Sequence, residues 1–443
     1  MSTLKPYPSY RDSGLPWLGQ VPAHWEVKRL KHVTNVTFSS VDKHTHENEK
    51  PVSLCNYVDV YKNESITSDF EFMQATATAE EFRRFTLKKN DVMITKDSES
   101  WNDIAIPAYV PNDLENVICG YHLALVRPKS EIDGKFLFRA LQAGPINYQF
   151  EVEATGITRY GIDQYAIGST FFVLPPLPEQ QTIAAYLDRA TARIDALIAR
   201  EQRLLELLAE RRLALINQAV TKGLNPDVKM KNSGVEWLGQ VPEHWEVKKL
   251  KYVGKAIIGL TYSPDDVTDS ENGTLVLRAS NVYDEHISFD DNVFVKKKIP
   301  AELITKVGDI LICVRSGSRD LIGKNTLINK KAVNLTFGAF MTVFRSAINN
   351  FVSYVFKSRL FKFQSGLFNT STVNQLTKSV LYNFQVAIPQ IDEQNQIVEY
   401  LHLETEIIQE LKTKTETAIE RLREYRSALI SSVVTGKICV CKR

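Results

Sequence analysis

Over two long stretches of the chain, apolar residues recur in alternating steps of four and three; elsewhere they fall in short runs or simple alternation. Positions 183, 187, 190, 194, 197, 201, 204, 208, 211 and 215 hold Ile, Leu, Ala, Ile, Leu, Glu, Leu, Leu, Arg and Leu, the spacing of a coiled-coil seam. The same phase returns 214 residues later in Ile397, Leu401, Glu404, Ile408, Leu411, Thr415, Ala418, Leu422, Tyr425 and Leu429. Two long helices are predicted, with Ile183, Leu187, Ile194, Leu197, Leu204, Leu208 and Leu215 on one seam and Ile397, Leu401, Ile408, Leu411, Leu422 and Leu429 on the other. Each has proline just before its start and a glycine, Gly223 or Gly436, near its end, the usual helix punctuation. A helix of about 44 residues spans roughly 65 Å, enough to act as a spacer. Pairing of the two helices within one chain is the favoured reading, over a seam that joins two identical subunits. Between the helices the runs DVMITK, HLALVRP, TFFVLPP, TLVLRAS, DILICVR and FMTVFR read as strands and FVSYVFKSRLFKFQ as helix. Mixed α/β heads follow, with a strand order the pattern does not give.

The chain also repeats itself. SGLPWLGQVPAHWEVKRLKHV at 13–33 returns as SGVEWLGQVPEHWEVKKLKYV at 233–253, with 16 of 21 positions identical. PPLPEQQTIAAYLDRA from Pro175 matches PQIDEQNQIVEYLHLE from Pro389, and ALINQAVTKGL from Ala214 matches ALISSVVTGKI from Ala428. Fainter echoes pair KKNDVMITK with KVGDILICV and GYHLALVRP with GAFMTVFRS. A repeat of this kind dictates the architecture. The expectation is an α+β chain with a first head at 1–175, a central helix at 176–225, a second head at 226–388 and a C-terminal helix at 389–443. The helices should pair as an antiparallel coiled coil about an internal pseudo-twofold axis.

Composition, 44% hydrophobic and 24% charged, is that of a globular protein. No stretch approaches the length of an apolar membrane span and no signal peptide opens the chain, so a cytoplasmic location is expected. Net charge is only +2, yet its distribution is uneven: Lys and Arg against Asp and Glu count 18 to 22 over 1–175 and 21 to 15 over 226–388. If both heads bind a polyanion, the first must do so through a local patch. Cys55, Cys119, Cys313, Cys439 and Cys441 are too few and too scattered for a disulfide framework or a zinc site and read as reduced thiols. His44 and His46 in DKHTHENE read as a solvated loop.

No enzyme motif survives inspection. GSRDLIGK at 317–324 has five residues between its glycines where a P-loop needs four, and Asn325 stands where Ser or Thr would hold magnesium. A Gly-rich cofactor loop and the Asn/Asp-Pro-Pro-aromatic segment of amino-methyltransferases are both missing, since Leu174 and Leu177 flank Pro175-Pro176. Pro264-Asp265-Asp266, followed by Glu271, lacks a suitably placed lysine and reads as a turn. Trp17, Trp25, Trp237 and Trp245 read as packing anchors, and His24 and His244 are expected to share that role.

The paired Trp-Leu-Gly-Gln-Val-Pro-x-His-Trp openings, the Pro-x-x-x-Glu-Gln helix starts at Pro175–Gln180 and Pro389–Gln394, and the order head, helix, head, helix make the chain resemble the specificity subunits of Type I restriction-modification systems. The resemblance covers nearly the whole chain. It implies a non-catalytic subunit whose two target-recognition domains each read one half of a split double-stranded DNA sequence. The paired helices would set the gap between half-sites and dock two modification subunits that bind S-adenosylmethionine and methylate adenine at N6. Restriction subunits would add ATP- and Mg2+-dependent translocation and cleavage. This chain would bind none of those cofactors and no metal.

Phosphate contacts would position each head while side chains in the major groove select bases. In the second head the candidates are Lys296, Lys297 and Lys298, the loop carrying Arg315, Ser316, Ser318 and Arg319, and Lys324, with Lys357, Arg359 and Lys362 a further basic cluster. In the first head they are Lys96, Ser98, Ser100 and Asn102 in the loop after DVMITK, and Arg159 and Tyr160 in the segment 155–160, which aligns with 369–374. The Arg315 loop is the preferred base reader, set against an ordinary solvated turn, and a structural turn is an equal reading of 155–160. Arg83, Arg84, Lys88 and Lys89 read as solvated charge on a helix face. The alternative is a non-catalytic two-headed scaffold whose heads bind proteins. A third possibility, a self-sufficient nuclease or methyltransferase, would be active alone.

Overall fold

The computed structural model describes residues 5–283, 285–318, 321–367 and 375–440. The chain divides into two compact units, residues 1–202 with 417–443 and residues 203–416.

In the first unit the strands Thr34–Phe38, Leu123–Pro128, Val92–Thr95 and Pro107–Tyr109 form one antiparallel sheet in that order. Beside it Lys50–Cys55 pairs parallel with Val117–Cys119 and antiparallel with Met73–Ala77. The run VMIT is apolar without alternation because both faces are covered. Val92 and Ile94 enter the core built with the helix Gly134–Leu141, while Met93 enters the core under the second sheet. The second unit repeats the plan with Lys255–Ile258, Met341–Arg345, Ile310–Cys313 and Asn325–Leu327. A parallel pair, Thr274–Leu277 with Thr336–Phe337, stands beside it. All six sequence-predicted strand runs form strands. The FVSYVFKSRLFKFQ run becomes two helices, Asn349–Lys357 and Arg359–Leu367. They break at Ser358, which is extended and donates its hydroxyl to the Val355 carbonyl at 2.6 Å.

An ion pair fixes the same register in both sheets. Arg127 Nε donates to buried Asp91 at 2.8 Å and its Nη2 to the Thr86 carbonyl at 2.9 Å. Arg345 repeats this on buried Asp309 at 2.7 Å and the Ile304 carbonyl at 3.0 Å.

The long helices run Leu177–Lys222 and Ile391–Val434. In the first unit the start of the central helix (Ile183, Leu187, Ile194) shares a core with the end of the C-terminal helix (Leu429, Val433). In the second, the end of the central helix (Ile216, Val220) shares one with the start of the C-terminal helix (Ile397, Leu401). Within each unit, then, the helices are antiparallel. The seam departs from expectation at alternate positions. Ile183, Leu187, Ile194, Leu208, Ile397, Leu401, Ile408 and Leu429 are buried, and Leu215 and Leu422 pack partly buried. Leu197, Leu204 and Leu411 are exposed, and Ile198 and Leu205, one residue further on from the first two, are partly buried instead. Helical neighbours lie at both i+3 and i+4. With Leu204 beside Leu205 and Leu197 beside Ile198, the sequence does not choose between them.

The Trp motifs meet the helix ends. Trp25 and Trp245 are buried, but Trp17 is 40% exposed and is no core anchor. His24 and His244 are half exposed, contrary to a packing role. Their Nε2 atoms lie 2.8 Å from Glu179 and 2.7 Å from Glu393, the glutamates of the Glu-Gln helix starts. Trp245 Nε1 also donates to Glu393 at 3.0 Å. Gln180 and Gln394 are buried and donate to the Pro175 and Pro389 carbonyls at 2.8 and 2.9 Å, closing the turn into each helix. The ring of Trp25 abuts Gly436, and that of Trp245 abuts Gly223, both glycines in the left-handed region at φ +74°. Each head thus grips the start of one long helix and the end of the other.

A second tie has no counterpart in the sequence reading. Glu64, in a head loop, is clamped between Arg139 of the head helix, at 3.0 Å, and Arg426 of the C-terminal helix, which also reaches Asp195 at 2.9 Å. The equivalent in the second unit is Glu285, between Lys357 at 2.9 Å and Arg212 of the central helix, bonded at 2.9 Å through Nη1. Burial pushes both carboxyls up, but the flanking cations outweigh it and hold them below their ordinary value. Lys357 is therefore a structural residue rather than part of an open basic cluster.

Candidate nucleic-acid interface

In the first head, two of the segments singled out from sequence come together. Past the strand Val92–Thr95, Asp97–Ser98 pairs antiparallel with Tyr160–Gly161. Arg159 Nε donates to Asp97 at 3.0 Å, its Nη2 bonds the same oxygen, and His122 Nδ1 lies 2.8 Å from the other Asp97 oxygen. Asp97 is mostly covered, with 16% of its side chain exposed, whereas Arg159 is 53% exposed. A mostly covered carboxylate here holds a half-exposed cation.

Around this group stand aromatic rings. Lys96 lies over Phe38 and Tyr121, 4.9 and 4.3 Å from their centroids, and burial pushes its ammonium below the ordinary value. Tyr57 stacks on Tyr61 at 5.5 Å, and Tyr61 donates to Asp103 at 2.7 Å. Trp101 and Tyr121 are about half exposed. Ser100 donates to Asn102 at 2.5 Å, and Tyr160 is half-buried. Ser98, expected as a contact, is buried and accepts from the Ser100 amide at 3.3 Å, so it supports the turn. Lys88 and Lys89 lie in a turn after the helix Ala79–Phe85, which carries Arg83 and Arg84. Cations interleaved with aromatic faces suit a nucleic acid, which presents phosphates and flat bases.

In the second head Arg315 bridges Gln375 and lies over the Phe340 ring, 5.1 Å from its centroid. Ser316 accepts from the Ser318 amide at 3.2 Å, and Lys324 closes the same hairpin by accepting from the Cys313 amide at 2.8 Å. Lys296, Lys297 and Lys298 follow a strand of the other sheet and are not gathered with Arg315 in the described contacts. Lys297 is held by Asp266 at 3.3 Å beside the Pro264–Asp266 turn. Arg319, the segment 369–374 and Cys441 lie outside the described residues. The four described cysteines are free thiols, and His44 and His46 are exposed. His122, Tyr57 and Tyr121 escaped selection from sequence, and Asp97 lay inside the loop singled out at 96–102 without being chosen as a contact. The signal was available for His122, because the echo of GYHLALVRP in GAFMTVFRS sets it opposite Phe340.

The fold and this face define a tandem-repeat protein in which two α+β heads of one backbone plan are gripped by antiparallel long helices. A family model described as Type I restriction modification DNA specificity domain matches residues 22–207 and again 242–421. The chain belongs to this family, that of the Type I restriction-modification specificity subunits. It is 25% identical over 368 residues to the Type I restriction enzyme MjaVIII specificity subunit of Methanocaldococcus jannaschii, with 81% of each chain covered. To the EcoKI specificity subunit of Escherichia coli it is 26% identical over 208 residues, 45% of this chain and 44% of that one. Among solved structures, a chain from work on complex assembly and conformational transition of the type I R-M system matches with a TM-score of 0.73 at 17% identity, covering 94% and 98%. The HsdS subunit of Thermoanaerobacter tengcongensis matches at 0.54 and 18%, with the same coverage. These two likenesses are of fold. Among the described residues no helix is long and apolar enough to cross a membrane.

Proposed function

We propose that this specificity subunit reads a split DNA sequence, one half with each head, and that its helices set the gap between the halves. The observation that carries this reading is the division of labour within the repeat. The Trp, His, Glu and Gly residues that seat the helices recur in both units. The faces differ in character: a carboxylate, Asp97, holds Arg159 in the first unit, whereas Arg315 lies over the Phe340 ring in the second. Two modification subunits, binding S-adenosylmethionine and methylating adenine at N6, would dock on the helices. There Leu204, Leu207, Ile407 and Leu411 leave apolar side chains exposed. Flipping an adenine from the stack requires firm holding on both sides, which two heads supply. Restriction subunits using ATP and Mg2+ would complete the complex in the cytoplasm, and the present chain would carry no catalysis of its own. Functionally, 1–175 and 226–388 act as reading heads and 176–225 and 389–443 as spacer. Mapping methylated adenines across genomic DNA with and without this gene tests the reading. Loss of one split motif is the expected result; an unchanged set of motifs refutes it.

A further inference from the structure

Asp97 and Arg315 occupy one structural position. In the first head the Lys96 amide donates to the His122 carbonyl at 3.2 Å, and the Lys96 carbonyl accepts from Ile162 at 3.0 Å. In the second, the Val314 amide donates to Phe340 at 2.9 Å and its carbonyl accepts from Leu376 at 2.7 Å. The next residue bridges Gly161 in one head and Gln375 in the other. The backbone on both sides is therefore the same, anchored by the equivalent Asp91–Arg127 and Asp309–Arg345 pairs, while the side chain changes sign.

We infer that this shared position carries the guanidinium that selects a base in each half-site, supplied directly by Arg315 in the second head and indirectly in the first, where Asp97 is a positioning residue that holds Arg159. The inference rests on the DNA-reading function proposed above. Asp97 engages Nε and one side of Nη2 of Arg159. Nη2 also lies 3.4 Å from His122 Nδ1, so Nη1 is the edge turned toward a base, where a guanidinium meets O6 or N7 of guanine. His122, on the second carboxylate oxygen, keeps Asp97 from turning away. In the second head the Phe340 ring replaces the carboxylate as support. Arg315 is exposed, and among the described residues no carboxylate pairs with it. Each half-site should contain a guanine whose readout depends on residue 97 or residue 315.

The test is methylated-adenine mapping in cells carrying the full chain with its modification subunit, comparing the unsubstituted chain, Asp97→Asn, Arg159→Gln and Arg315→Lys. Asp97→Asn keeps the side-chain shape and removes the charge. It is expected to relax one guanine position of the first half-site, by about tenfold to a hundredfold in preference, leaving the second half-site and the gap unchanged. Arg159→Gln should relax the same position. Arg315→Lys keeps the charge and loses the fork, and should relax one guanine of the second half-site only. The assignment is overturned if Asp97→Asn leaves the motif intact or abolishes both halves together, or if Arg315→Lys alters nothing. If the unsubstituted chain directs no split motif, the DNA-reading function itself falls.

Discussion

Gly223 and Gly436 end the two long helices with the same positive φ, yet their surroundings differ. A Cβ on Gly436 would overlap the Pro22 ring, whereas one on Gly223 would meet the movable Glu393 carboxylate at 3.0 Å. Alanine at either site forces a left-handed non-glycine residue, costing about 1 kcal/mol. Gly436→Ala adds overpacking of about 1–3 kcal/mol. Thermal melts should therefore rank Gly436→Ala as clearly the worse substitution, and equal melting temperatures would contradict the packing described. Asp309 and Arg345 offer a second check. Removing a buried carboxylate strands its partner cation, so Asp309→Ala should destabilise the second head by about 3 kcal/mol, read as a lowered melting transition.

Among the elements, the seam correction is directly measurable. Leu208 is buried and Leu204 is not. Leu208→Ala should cost about 2–3 kcal/mol, while Leu204→Ala should stay within about 0.5 kcal/mol and weaken only assembly with partner subunits. The clamps on Glu64 and Glu285 tie each head to a long helix, and their carboxyls are held below the ordinary value of 4.5. A depressed carboxylate contributes stability that is complete above its unfolded-state pKa and is lost as pH falls through its folded-state pKa. Melting temperature should accordingly fall as pH drops below about 4.5. The double variant Glu64→Gln, Glu285→Gln should show a shallower fall, and an identical acid profile would deny the clamps a role.

For the molecule as a whole, the uneven charge predicts how DNA is held. A reader that neutralises several phosphates releases counterions, so affinity should fall by roughly three orders of magnitude between 50 and 200 mM salt for about six contacts. Fluorescence anisotropy of the assembled complex on duplex DNA measures this, and a flat salt dependence would favour the protein-binding scaffold.

By itself the sequence determined the repeat, the long helices, the strand runs and the family resemblance, because periodicity and self-similarity are local and additive along a chain. It marked Lys96, Arg159 and Arg315 but could not join Asp97 to Arg159, 62 residues apart, or know that Ser98 is buried. It read His24 and His244 as packing groups, since nothing local shows that they meet glutamates 155 and 149 residues away. Tertiary structure alone chose between adjacent seam leucines, paired Glu64 with Arg426, and gave residues 97 and 315 the same backbone position. Those outcomes depend on which distant groups share a space, and burial and charge pairing are settled only when the chain has closed on itself.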